Sequence, residues 1–107
     1  MRDLVAVLER WFADNCDGDW EHGLGVRINT LDNPGWSVDI NVAGTAVEEK
    51  PFLRIQDEHN EDDWVHCWVE TGLFKGRGGP RNLRDILAAF ASWSGASDDS
   101  ASQDPNR

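Results

Sequence analysis

A chain of 107 residues, 39% of them apolar and including six Trp and four Phe, carries enough hydrophobic material for one self-supporting domain. Its formal charge of −10, from 20 acidic against 10 basic residues, argues against a nucleic-acid or anionic-membrane surface, because the long-range field repels either, and favours basic partners. No run of 18 apolar residues and no leader-like N-terminus occurs, so a soluble, cytoplasmic chain is expected.

From Arg2 to Asp14, Leu4, Val5, Leu8, Trp11 and Phe12 recur at spacings of three and four, which predicts an amphipathic helix. Asp14, Asn15 and Gly18 favour turns and end it. The stretch that follows, Cys16-Asp17-Gly18-Asp19-Trp20-Glu21-His22, is the densest group of chemically capable side chains in the sequence. Leu24, Val26, Ile28 and Thr30 then alternate with polar residues, and the alternation resumes after Asp32-Asn33-Pro34-Gly35 as Trp36, Val38, Ile40 and Val42. That is a β-hairpin. Pro34 and Gly35 suit the two central positions of a type II turn. Parity of the alternation sets Thr30 opposite Trp36, Ile28 opposite Val38 and Val26 opposite Ile40.

Gly44 to Lys50 reads as a polar connection, and Pro51 can open a third strand with Leu53 and Ile55 on one face. An acidic loop is expected from Asp57 to Asp63. In the fourth strand Val65, Cys67 and Val69 should meet the helices, while Trp64, His66 and Trp68 form the other face, covered by a loop or partly exposed. Gly72, Gly76, Gly78 and Gly79 make Leu73 to Pro80 a long flexible loop. Asn82 can cap a second helix, with Asp85 three residues on and Leu83, Ile86, Leu87, Phe90 and Trp93 as its stripe. From residue 95 the composition is that of a disordered, acidic and Ser-rich tail. The expected fold is therefore α+β, a four-stranded antiparallel β-meander with an N-terminal and a C-terminal helix packed on one face, in a single domain over 1–94 with a tail over 95–107.

Asp17, Asp19, Glu21 and His22 are proton-transfer residue types, but no adjacent Ser or Lys nucleophile accompanies them. Cys16 and His22 with His66 and Cys67 make a nominal Cys2His2 set at the wrong spacing, and neighbouring His66 and Cys67 point to opposite faces of a strand. Asp17-Gly18-Asp19 lacks the rest of a calcium loop. The glycine run before the second helix lacks a phosphate-binding lysine. No cofactor and no metal are expected. Cys16 and Cys67, too few for a disulfide framework, are expected as thiols packed as small hydrophobes. Trp11, Trp36 and Trp93 lie on apolar stripes and should bury, whereas Trp20, Trp64 and Trp68 do not fit those stripes and read equally as cover for the second sheet face or as interface anchors. Asp14 to Glu21 holds four acids and no Lys or Arg, and Asp57 to Asp63 holds five. Such segregation suggests a cation-seeking surface if the fold brings both stretches to one side.

Cys16-Asp17-Gly18-Asp19-Trp20-Glu21-His22, Thr30-Leu31-Asp32-Asn33-Pro34-Gly35-Trp36, Glu61-Asp62-Asp63-Trp64, and Gly78-Gly79-Pro80 with Asn82-Leu83, in that order, resemble the immunity protein 53 family of bacterial polymorphic toxin systems, over about residues 8 to 93. The resemblance implies a cytoplasmic, non-enzymatic antitoxin that binds a cognate toxin domain, and it carries over no catalytic residues. Combined with the charge pattern, it makes Asp17, Asp19, Trp20, Glu21, Glu61, Asp62, Asp63 and Trp64 the expected toxin-binding residues, facing a basic surface such as a nuclease's substrate groove. A monomer is expected. Trp20 and His22 facing inward would leave Asp17, Asp19 and Glu21 as that loop's contacts. The alternative is a small enzyme or metal-binding protein centred on Cys16 to His22.

Overall fold

A computed structural model describes residues 3–96. Helix α1 spans Leu4–Asn15, and a single 3-10 turn covers Trp20–His22. The strands are β1 (Val26–Leu31), β2 (Gly35–Asn41), β3 (Ile55–Asn60), β4 (Asp63–Glu70) and β5 (Leu73–Gly78), and α2 spans Leu83–Ser94. Asp3 caps α1, its Oδ1 accepting from the Ala6 N–H at 3.1 Å, which satisfies one of the donors a helix start leaves open. The buried stripe of α1 is Leu4, Val7 and Trp11. It is rotated from the predicted one, and Val5 and Phe12 lie at its exposed margin.

The sheet is antiparallel with five strands in the order β1-β2-β5-β4-β3. This corrects the expected four-stranded meander: the glycine-rich segment read as a flexible loop is β5, the central strand, inserted between β2 and β4. Its glycines are there because α2 lies directly on it. A Cβ on Gly76 would run into Ile86 Cγ2, and one on Gly78 would stand 3.0 Å from Asn82 Cβ and 3.2 Å from Ile86 Cδ1. The β4–β5 turn is Thr71-Gly72, both at positive φ (50° and 77°), the backbone a tight two-residue hairpin needs.

The β1–β2 register is as predicted, with Val26 opposite Ile40, Ile28 opposite Val38 and Thr30 opposite Trp36. The turn differs from expectation. The Asn33–Pro34 bond is cis and Gly35 keeps an ordinary φ as the first residue of β2, so no type II turn forms. The predicted acidic loop is mostly strand: β3 runs to Asn60, leaving only Glu61 and Asp62 as a turn. Leu53, expected in this strand, is 90% exposed ahead of it.

Both helices pack on one face of the sheet, as expected. Leu4, Val7 and Trp11 of α1 and Ile86, Leu87, Phe90 and Ala91 of α2 join Val38, Ile40, Val65, Cys67 and Phe74 in one buried cluster. Trp36 and Trp93 sit half-buried at its margin, their indole N–H groups donating to Pro80 O at 3.0 Å and Pro51 O at 2.9 Å. Gly95, with φ 75°, ends α2 in the left-handed conformation common at helix ends. The tail expected from residue 95 falls outside the described residues from 97 onward.

Candidate partner-binding surface

The 16–22 loop is tied together by its own carboxylates. Asp17 Oδ1 accepts the N–H groups of Asp19 and Trp20, each at 2.9 Å. Glu21 reaches back to accept from the N–H of Asp17 at 2.9 Å and of Gly18 at 2.8 Å. These bonds leave their mark on the acidities. The Trp20 N–H, then that of Asp19, holds the Asp17 carboxyl below its ordinary value. The backbone N–H of Glu21 itself, with those of Asp17 and Gly18, does the same for Glu21. Asp19 is the exception, for its carboxylate takes no hydrogen bond among the described residues. Trp20 turns inward as a half-buried ring, edge-on to Trp11 and tilted against Phe12, with centroids 5.6 Å away in both cases.

A pH dependence follows from these bonds. Both carboxyls have folded values below those of the unfolded chain, so their contribution is complete above about pH 4 and is lost as the pH falls through the folded values. On acidification the protection factors of the Asp17, Gly18, Asp19 and Trp20 amides, taken against the intrinsic exchange rate at each pH, are expected to fall before those of β5. Uniform protection down to global unfolding would contradict the loop-locking role.

Neither the thiol nor the metal chemistry of this stretch finds support. Cys16 is exposed rather than packed as a small hydrophobe, and its Sγ donates to Phe12 O at 3.2 Å. Desolvation against the helix end, then the charges of Glu21 and Asp17, raise its pKa, the reverse of what a reactive thiolate needs. Cys67 is fully buried and pushed up to about 12 by burial. Among the described residues no group of His, Cys, Asp and Glu could hold a metal ion.

The registers place the two acidic stretches at opposite ends of the sheet. Val26, Asn41, Glu70 and Leu73 share one end, and the 16–22 loop enters β1 there. Leu31, Gly35, Gly78, Asn60 and Asp63 share the other, so Glu61, Asp62, Asp63 and Trp64 gather there. The eight residues expected to meet a toxin therefore divide into two groups of four.

At the hairpin end, β3 is a sheet edge with exposed Asp57, Glu58, His59 and Asn60. The pairings Glu58 with Trp64 and Gln56 with His66 put these side chains on the face away from the helices. There Glu58, His59, Asn60, Glu61, Trp64 and His66 line an open groove of about 510 Å³. His66 Nε2 meets Glu58 Oε2 at 2.6 Å, and the Trp64 and His66 rings stand edge to face at 5.2 Å. A smaller concavity of about 260 Å³ opens on the helix side of the same hairpin, where Asp57, Asp63, Asn82 and Asp85 converge on Trp64. Trp68 shares the outer face and is flanked by the guanidinium groups of Arg54 and Arg77 at 5.2 and 5.7 Å. Arg77 is in turn paired with Asp39 at 3.0 Å.

The sequence predicts Asn82 as a helix cap, but its side chain makes no capping bond to α2. It is 5% exposed and clamps the hairpin to α2: Oδ1 accepts the Trp64 N–H at 3.3 Å, and Nδ2 donates to Asp63 Oδ1 at 3.0 Å and Asp85 Oδ2 at 2.7 Å. Its sequence signal, a polar residue before a helix, does not distinguish a cap from a buried clamp. Asn82→Ala removes these bonds beside the concavity, where the exposed Asp63 and Asp85 carboxylates can turn to water, and is expected to cost about 1 kcal/mol in urea denaturation. A change within error would show that the clamp carries no strain-bearing role.

A model of the immunity protein 53 family matches residues 5–95 of the chain. No curated protein and no solved structure matches it.

Proposed function

The chain belongs to the immunity protein 53 family, and from that premise we propose that it neutralises its cognate toxin by seating the acidic β3–β4 hairpin against a basic surface of the toxin. As an immunity protein it acts by binding and is not an enzyme. The observation that carries the reading is the composition of the two concavities around Trp64, which are lined by Asp57, Glu58, Glu61, Asp63 and Asp85 and by no Lys or Arg. Carboxylates at a rim steer a cationic partner into register, and a large ring at the centre supplies contact area.

Occlusion follows from charge. A hairpin with an acidic edge occupies a basic cleft in the way an anionic substrate would, and a nuclease's substrate groove fits by charge sign. In this proposal Asp19 adds a secondary charge from the opposite end of the sheet, while Asp17, Glu21 and Trp20 keep its loop in shape.

Co-expression with the toxin domain encoded beside this chain tests the proposal. Growth rescue and co-purification of a stable complex are expected, with association slowing as salt rises across the range where surface charges become screened. A folded immunity protein that neither binds nor protects would refute it.

A further inference from the structure

Alternate residues of β4 place Trp64, His66 and Trp68 in one column on the sheet face away from the helices. The two tryptophans of that column are in opposite electrostatic states. Trp68 has its own cations, with Arg54 and Arg77 over the ring at 5.2 and 5.7 Å. Trp64 has none among the described residues. Its neighbours are instead Glu58, directly opposite on β3, and Glu61 in the turn, with His66 at its edge.

His66 fixes this arrangement. Its Nε2, 2.6 Å from Glu58 Oε2, holds that carboxylate beside the groove, and its ring backs the indole of Trp64. The groove is open, and its volume of about 510 Å³ leaves room for one side chain laid along its wall. An aromatic wall attracts a cation through its ring quadrupole, and two carboxylates at the rim accept its hydrogen bonds.

Building on the proposed toxin-binding role, we propose that this groove takes one arginine side chain of the toxin, with the guanidinium over Trp64 and its N–H groups donated to Glu58 and Glu61. Arginine fits better than lysine because a planar, weakly hydrated fork stacks on an indole and addresses two carboxylates at once, whereas an ammonium is a strongly hydrated point charge. Arg54 and Arg77 on Trp68 are the same chemistry within one molecule.

Two measurements decide it. In the first, the full chain is titrated with a capped Gly-Arg-Gly peptide, its lysine counterpart and its citrulline counterpart, and followed by amide and indole NMR shifts. Saturable shifts are expected at the Trp64 indole and at Glu58 to Trp64 with the arginine peptide, weaker ones with lysine, and none with citrulline. Glu58→Gln combined with Glu61→Gln, which leaves the core untouched, should weaken the arginine peptide about tenfold or more. Shifts centred on Trp68, or equal shifts with citrulline, would overturn the inference.

The second measurement uses the toxin domain itself. Trp64→Ala and the double Gln variant should each weaken a wild-type complex about tenfold or more. If wild type binds and the variants bind equally well, the arginine groove falls and the toxin-binding role stands. If wild type does not bind, that role falls, and the peptide titration still decides what the groove takes.

Discussion

Phe74→Ala is expected to remove about 3–5 kcal/mol of stability, the usual cost of truncating a buried aromatic ring. Phe74 is fully buried on the central strand β5, and its ring joins three parts of the chain. It stands edge-on to Phe52 of the β2–β3 connection at 5.6 Å and to Phe90 of α2 at 5.2 Å, and lies near-parallel to Trp93 at 6.2 Å. Phe52 and Trp93 also meet each other at 5.4 Å, so the cavity left by truncation is walled by rings that cannot all collapse into it. Against a typical domain stability of about 5–15 kcal/mol, such a loss brings the variant close to unfolding at room temperature. Leu53→Ala is the control: at 90% exposed it should stay within about 0.5 kcal/mol of wild type. Urea denaturation with an unchanged m-value reads both, and equal midpoints for the two variants would contradict the placement of β5 at the centre of the sheet.

That placement is what sequence patterning failed to reveal. The alternation Leu73, Lys75, Arg77 against Phe74, Gly76, Gly78 does have period two, but on the core face two of three positions are glycine, which carries no apolar signal. The missing side chains are supplied by Ile86 of α2, which occupies the space above Gly76. A helix in close contact thus erased the strand's own hydrophobic pattern. The β1–β2 hairpin was legible down to its register because the residues on its helix-side face, Val26, Ile28, Val38 and Ile40, are all large and apolar, although Ile28 stays 40% exposed. The edge strand β3 was half-legible: Ile55 fits a strand, but Gln56 to Asn60 is exposed throughout and therefore free to be polar.

The surface was legible as charge and only in part as geometry. Sequence reading found both acidic stretches and the three tryptophans that do not fit apolar stripes. It could not show that the carboxylates of Asp17 and Glu21 are engaged with backbone N–H groups, since bonds over two to four residues leave no trace in composition. The placement of the two acidic stretches at opposite ends of the sheet does not depend on β5: β1 and β3 run in the same direction in the expected meander and in the observed order alike, so the segment before β1 and the β3–β4 turn are kept apart in both. Asn82 was missed for a different reason: its contact with Trp64 spans 18 residues.

Reversing Glu61 and Asp62 together to Lys should slow association with the toxin about tenfold or more at low ionic strength, within the range that electrostatic steering supplies. These two side chains form the hairpin turn and take no hydrogen bond among the described residues, so their reversal changes the field without loosening the fold. The salt dependence of association should flatten at the same time, because the charges that salt screens are no longer there. Asp19→Lys is the matching probe at the other end of the sheet, and it is clean where Asp17 and Glu21 are not: reversing either of those would release backbone N–H groups, and a lost complex would then report a lost loop. A smaller slowing is expected for Asp19→Lys. If Asp19→Lys slows association more than the hairpin pair does, the toxin docks at the 16–22 end, and the hairpin is an acidic edge whose charge serves only to keep β3 from pairing with another strand.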